Sequence, residues 1–252
     1  MHKIIQVVFY VLLCMTTFNP PSFAQERPLI FGSASFPPFF GENMDNNGPL
    51  IEIIREAFAV NNRKIIIKWF PWKRALLSAK HGNVDGLAFA WYTKEREKFL
   101  HFGEAIVPNI DIGLFKHKKN TASKYNDLSI LKDKTVGYVR GYAIPEVISN
   151  AGAILYEASE DLQLLRMLAA GRIDYVYTDK HVGNYLMLKH APELLKELNW
   201  FVTLRNYPNY LAISKEIKNE DPEKILQQYA NGLKVIKESG LYERILSKYQ
   251  LR

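Results

Sequence analysis

One phrase occurs twice and limits the chain more than any other feature. His81-Gly82-Asn83-Val84-Asp85 and Ala170-Gly171-Arg172-Ile173-Asp174 each close a leucine-bearing helical pattern and open an apolar run. Gly82 and Gly171, Val84 and Ile173, and Asp85 and Asp174 all stand 89 positions apart. A glycine there suits the left-handed position that ends a helix. A helix, a glycine stop and a strand repeated at this distance predict two lobes on one supersecondary plan. Around the first copy the patterns alternate: a strand over 29–32, a helix over 50–58, a β-branched strand over 64–69, a helix over 75–81 and a strand over 85–89. That order implies parallel pairing. Around the second copy we expect a strand over 131–139, helices over 144–150 and 160–170, a strand over 175–178 and a helix over 179–190. A strand over 210–213 and amphipathic helices over 222–240 and 241–249 follow. No low-complexity linker separates the lobes, so the chain is expected to cross between them in extended segments near 111–117 and 207–212.

Composition removes several classes. Of 252 residues, 48% are apolar and 23% charged, which argues against a disordered, collagenous or multi-span membrane chain. The net charge is +7, but the basic residues are scattered, with no cluster beyond Lys116, Lys118 and Lys119, so nucleic acid is not an expected partner. Lys3, an apolar run over 4–15, the breaker Asn19-Pro20-Pro21 and the triplet Ser22-Phe23-Ala24 read as a signal peptide over 1–24, cleaved after Ala24. The run is shorter than the ~20 residues that cross a bilayer; an uncleaved anchor is the other reading. Cys14 is the only cysteine and leaves with the leader, and Val11-Leu12-Leu13 lacks the small residue of a lipoprotein site. The mature chain is therefore expected to lack disulfides and to reside in the periplasm, with secretion as the alternative.

Enzyme and cofactor motifs are missing. The six histidines are dispersed, and there is no paired Cys/His pattern, phosphate loop, dinucleotide fingerprint or nucleophile elbow. We expect no metal and no cofactor; Asp45-Asn46-Asn47 reads as a solvated turn. Four features suggest binding instead. Phe36-Pro37-Pro38-Phe39-Phe40 follows the first strand, where ligands sit in open α/β sheets. Trp69-Phe70-Pro71-Trp72 follows another strand of that lobe. Thr93 can cap a short helix that carries Arg96 in its first turn. Asp179 follows the lobe-two strand. A guanidinium fork from one lobe and a carboxylate from the other suit a zwitterion, with aromatic faces covering it. Each feature also has a structural reading: Phe36 and Phe39 as core, Trp72 packed under a loop, Arg96 in a surface salt bridge, Asp179 as a helix cap.

The series Phe36-Pro37-Pro38-Phe39, Gly48 leading to Glu52, Gly82-x-Val84-Asp85, Thr93-x-x-Arg96-x-x-x-Phe99, Val136-Gly137 with Gly141, Gly171-Arg172-Ile173-Asp174, Asp179 and Gly240-Leu241-Tyr242 resembles the family 3 periplasmic solute-binding proteins of polar amino-acid ABC transporters. The resemblance spans about residues 28–250. It implies an α/β, two-lobed type II periplasmic-binding fold with two hinge crossovers, lobe I being 25–113 plus 210–252 and lobe II 114–209. It implies that Arg96 grips a ligand carboxylate, Asp179 receives an ammonium, Phe36 and Trp72 sandwich the ligand, and backbone at Gly141, Tyr142 and Ala143 helps bind the carboxylate. It further implies a monomer that closes on a small-molecule ligand and docks transiently on a membrane permease. One departure stands out. Family members commonly carry a small residue and a hydroxyl residue seven and five positions before that arginine; here they are Phe89 and Trp91. A narrower or differently shaped pocket, with Trp91 in its wall, is expected. Lys73 and Arg74 suggest an extra anionic group on the ligand. The alternatives are an enzyme resembling cyclohexadienyl dehydratase, with Glu42 or Glu104 as the acid, and a sensor component that presents its ligand to a receptor.

Overall fold

The computed structural model describes residues 26–122 and 128–249. The leader expected over 1–24, with Cys14, lies outside these residues. Eight strands form one mixed sheet in the order β2-β1-β3-β8-β4-β7-β5-β6. At one end β1 (Leu29–Ser33) pairs in parallel with β2 (Ile65–Trp69) and β3 (Gly86–Ala90). The helices α1 (Pro49–Ala59) and α2 (Trp72–Lys80) make the connections. At the other end β5 (Thr135–Val139) pairs in parallel with β6 (Ile154–Ala158) and β7 (Tyr175–Asp179).

Two long antiparallel strands, β4 (Leu100–His117) and β8 (Leu198–Ser214), join the two ends. β3 pairs with β8 from Ile213 to Tyr210, and β7 pairs with β4 from Ile112 to Lys116. Between those attachments the β4–β8 register slips repeatedly, and Pro108 and Pro208 both fall in the slipping stretch. Proline donates no ladder hydrogen bond, which suits the slips between Ala105 and Val107 and between Val107 and Ile110; further slips fall between Phe102 and Ala105, Ile112 and Gly113, and Leu114 and Phe115.

The expected crossovers were shorter than these strands, because Gly103, Pro108 and Gly113 break the alternation that marks a strand. β6 was not foreseen: Ile154 to Glu157 are exposed, so it shows no buried period. The strand expected over 131–139 starts at Thr135, after a short turn that places Asp133 at φ 60°. α2 starts at Trp72 instead of 75, since Pro71 presets the helix entry.

The remaining helices are α3 (Lys94–Glu97), α4 (Glu146–Asn150), α5 (Asp161–Ala169), α6 (Lys180–His190), α7 (Pro222–Glu238) and α8 (Leu241–Lys248). On one face of the sheet α1 buries Leu50, Ile51, Ile53, Ile54 and Phe58 in a core shared with Tyr229, Leu233 and Ile236 of α7. Each such side chain stabilises by about 1.5–3 kcal/mol when fully buried. Gly232 lets α1 and α7 touch: a Cβ there would sit 1.8 Å from the Ala57 carbonyl oxygen.

The repeated phrase has one structure in both lobes. Gly82 (φ 65°) and Gly171 (φ 67°) end α2 and α5. Asn83 N–H donates back to the Ser78 carbonyl and Arg172 N–H to that of Met167, both at 2.9 Å. The aspartate then clamps the start of the neighbouring strand. Asp85 N–H donates to the Ile30 carbonyl at 2.7 Å, and its Oδ2 accepts from Ile30 N–H at 2.7 Å. Asp174 does the same with Thr135, at 2.9 Å in each direction.

Candidate functional site

The strand ends of both lobes point into one cleft of about 700 Å³. Lobe one contributes the turn after β1 (Phe36, Phe40, Glu42), the end of β2 and start of α2 (Trp69, Phe70, Trp72), and the end of β3 (Phe89, Trp91). Lobe two contributes Tyr142 after β5, Glu160 and Asp161 at the start of α5, and Val182, Tyr185 and His190 of α6. Of the expected site residues, Phe36, Trp72, Trp91 and Tyr142 line the cleft, whereas Arg96, Gly141, Ala143 and Asp179 stand behind its walls.

Arg96 is placed by local chemistry. The Thr93 hydroxyl accepts from Arg96 N–H at 3.1 Å and starts α3. The side chain then turns inward and is only 6% exposed. Nη1 donates to the Trp91 carbonyl at 2.7 Å, and Nη2 donates to the Gly141 carbonyl of the other lobe at 3.0 Å. Its guanidinium also lies 5.3 Å from the Trp72 ring centroid. The surface salt-bridge reading therefore does not describe it. Burial pulls its pKa down to about 10, so it remains cationic at neutral pH. A buried guanidinium held by carbonyl dipoles is incompletely compensated, and a carboxylate would complete it.

Gly141 touches the other lobe closely. Its φ is +89°, and a Cβ would meet Trp72 and Leu76 at 3.3 Å. Its carbonyl also accepts from Trp72 Nε1 at 3.0 Å. Beside it, Tyr142 meets Phe36 and Trp91 edge-on, with centroids 6.2 and 5.3 Å apart. Phe36 and Phe39 are both buried; Phe36 doubles as core and cleft wall, while Phe39 packs on His181. The Ala143 carbonyl accepts from the Tyr177 hydroxyl at 3.2 Å.

Asp179 caps α6, accepting from Val182 N–H at 2.9 Å through Oδ1. Its Oδ2 is buried and has no partner. Burial pushes its pKa up to about 7, with the negative charges of Asp111 and Asp161 adding to the rise. The cap reading is correct and leaves one oxygen over. Trp91 Nε1 is buried and unpartnered as well.

One expectation needs correction. Lys73 and Arg74 are exposed and absent from the cleft wall, because they sit on the solvent side of α2 while Trp72 takes the inner position. The charged side chains that do line the cleft are acidic. Asp161 was missed, because an acid in the first turn of a helix reads as ordinary helix chemistry. Its position could have been found from the repeat, since it stands 89 positions after Trp72. Among the described residues no group of three His, Cys, Asp or Glu side chains could hold a metal, and no helix is long and apolar enough to cross a membrane.

Residues 29–252 match the model of the bacterial extracellular solute-binding proteins, family 3. An arginine-binding periplasmic protein of Mannheimia haemolytica is 26% identical over 248 residues, covering 90% of this chain and 92% of that protein. A probable histidine-binding protein of Neisseria gonorrhoeae is 24% identical over 231 residues, covering 87% and 81%. A solved histidine kinase sensor domain with similarity to periplasmic binding proteins superposes with a TM-score of 0.76 at 20% identity, covering 89% of this chain and 96% of that one, which establishes the shared two-lobed fold. With this match over most of its length, the chain belongs to the bacterial extracellular solute-binding proteins, family 3.

Proposed function

We propose that this solute-binding protein is exported to the periplasm by a leader over 1–24, captures an amino acid or a related small zwitterion, and delivers it to an ABC transporter. The observation that carries this reading is Arg96: a buried cation whose two acceptors are main-chain carbonyls, one from each lobe. A ligand carboxylate would replace the Gly141 carbonyl in the guanidinium fork. Asp179, with its spare Oδ2, would receive the ammonium. Phe36, Trp72, Trp91 and Tyr142 would cover the ligand. The lobes, taken as 25–113 plus 210–252 and 114–209, would turn about the slipping stretch of β4 and β8. A ligand that touches both lobes favours the closed form, because only there does it make all its contacts. The protein acts as a monomer and meets its permease transiently. Glu42 and Glu104, the acids expected for the enzymatic alternative, are both exposed, so neither is held as a desolvated acid.

A thermal-shift screen of amino acids, polyamines and small organic acids identifies the ligand, which raises the melting temperature by mass action. Arg96→Ala should then weaken binding at least tenfold by calorimetry. Unchanged affinity would remove Arg96 from the site. Turnover of prephenate or arogenate would replace the binding reading with an enzymatic one.

A further inference from the structure

β6 is the last strand of the sheet, so its outer edge has no neighbouring strand. Its inner bonds reveal which main-chain groups are free. Ile154 N–H donates to the Lys134 carbonyl, and the Ala158 carbonyl accepts from Arg140 N–H, at 2.9 Å each. In a parallel ladder alternate residues face the same neighbour, so Ile154, Tyr156 and Ala158 turn to β5, while Leu155 and Glu157 present N–H and C=O outward. The side chains do not guard this edge. Ile154, Leu155 and Tyr156 are 56%, 38% and 40% exposed. At the opposite edge β2 sets an exposed Lys68 near its one exposed large apolar residue, Ile66. Sheets blunt their edges with such charges; a bare apolar edge is a template for another strand.

A surface cavity of about 450 Å³ adjoins this edge on the α5 side. Gly137 is the register partner of Tyr156, and a Cβ on it would meet Leu164 of α5, so Tyr156 points to the helix side of the sheet. Tyr156, Leu162 and Met167 line the cavity together with Arg166 and Arg172. Neither guanidinium has a hydrogen-bond or ion-pair partner among the described residues. Arg172 stands two positions before Asp174, which clamps Thr135, the register partner of Ile154. Positive charge therefore lies at the Ile154 end of the strand, and Glu160 at the Ala158 end. Glu157 is already engaged, accepting from the Tyr138 hydroxyl at 2.9 Å and from Arg140 Nε at 3.0 Å.

We propose that the outer edge of β6 is a docking surface for an extended, acidic segment of a partner protein, which adds as a further strand and sets a carboxylate beside Arg166 and Arg172. The main-chain groups of Leu155 and Glu157 hold the segment, and the guanidinium forks select its charge. Side chains alternate across a strand, so acids at every second position all turn to the α5 side. A second copy of β6 offers no free acid of its own, since Glu157 is taken, and the unpaired arginines favour a different chain. The surface lies outside the cleft and does not depend on which solute the cleft takes.

Fluorescence anisotropy on the purified protein with three labelled, end-blocked octapeptides tests this: valine alternating with glutamate, valine alternating with lysine, and the glutamate peptide N-methylated at every residue. We expect the glutamate peptide to bind at least tenfold more tightly than either of the others. Arg166→Glu combined with Arg172→Glu, both at exposed positions, should reverse the preference towards the lysine peptide. Equal binding of the glutamate and lysine peptides overturns the charge selection, and undiminished binding of the N-methylated peptide overturns strand addition. A preference for glutamate that survives the double substitution places the peptide elsewhere and overturns the site. No binding of any peptide also overturns it. Self-association in sedimentation, dispersed by Leu155→Lys, would make the occupant a second copy and sink the proposal.

Discussion

The two lobes solve the same local problem with different side chains, and the difference shows most clearly at two glycines. Gly32 in β1 and Gly137 in β5 each stand two residues after the position clamped by the aspartate, Ile30 or Thr135. A Cβ on Gly32 would make ordinary contacts of 3.4–3.7 Å with Val84, Leu87 and Ala75. A Cβ on Gly137 would lie 2.6 Å from Leu164 and 2.7 Å from Ile173. Leu164 and Ile173 are the counterparts of Ala75 and Val84 at the same spacing of 89. Lobe one leaves room over the strand; lobe two fills it from the helix. The backbone plan is common, and the packing is particular to each lobe.

Charge follows the same division. Beside the cleft, lobe one buries the cation Arg96 and lobe two the acids Asp161 and Asp179, whereas away from it lobe one also buries Arg63 and Asp85 and lobe two Lys116. The largest expected effect tests that asymmetry. The folded pKa of Asp179 is raised to about 7, so the native state holds a proton that the unfolded chain releases near pH 4. Stability from this group is therefore fully present below about pH 4 and is lost as pH rises towards 7, by at most about 1.4 kcal/mol per pH unit. Asp179→Asn should flatten that fall, so that urea unfolding free energies of variant and unaltered protein diverge by a few kcal/mol across the window. Parallel curves would show that Asp179 stays ionised.

The strand clamps come next. Asp85 also holds Arg27 through two hydrogen bonds of 2.7 and 2.8 Å, whereas Asp174 has only Lys134 at 3.6 Å, both groups well exposed. Asp85→Ala should cost about 3 kcal/mol and Asp174→Ala about 1 kcal/mol, measured by denaturant unfolding. Equal costs would mean that the backbone clamp, common to both, carries all of the energy. The glycines give the most local comparison. Gly137→Ala should destabilise by about 1.5 kcal/mol through overpacking. Gly32→Ala should be neutral or up to about 0.5 kcal/mol stabilising, since alanine loses less entropy in a strand. A reversal of that order would break the lobe comparison.

Much of this was legible in the sequence because it is local. The glycine stops at 82 and 171, the Thr93 cap of α3, the Asp179 cap of α6 and the parallel βαβ order are all readable from spacings of a few residues. The long ribbon of β4 and β8 was not, since prolines and glycines interrupt its period and its pairing spans both lobes. Asp161 escaped notice because nothing within its own helix distinguishes it from an ordinary first-turn acid. Lys73 and Arg74 misled for the matching reason: adjacency to Trp72 in the chain does not place them beside it in the cleft.

The sequence alone determined the repeated helix–glycine–strand–aspartate unit, because its hydrogen bonds close within one turn or between neighbouring strands. Only the tertiary structure decided that Arg96 of one lobe meets the Gly141 carbonyl of the other, and that Asp161 lines the cleft. The Arg96–Gly141 contact joins residues 45 positions apart in different lobes, and such partners are set by how two finished lobes approach each other, which no local pattern encodes.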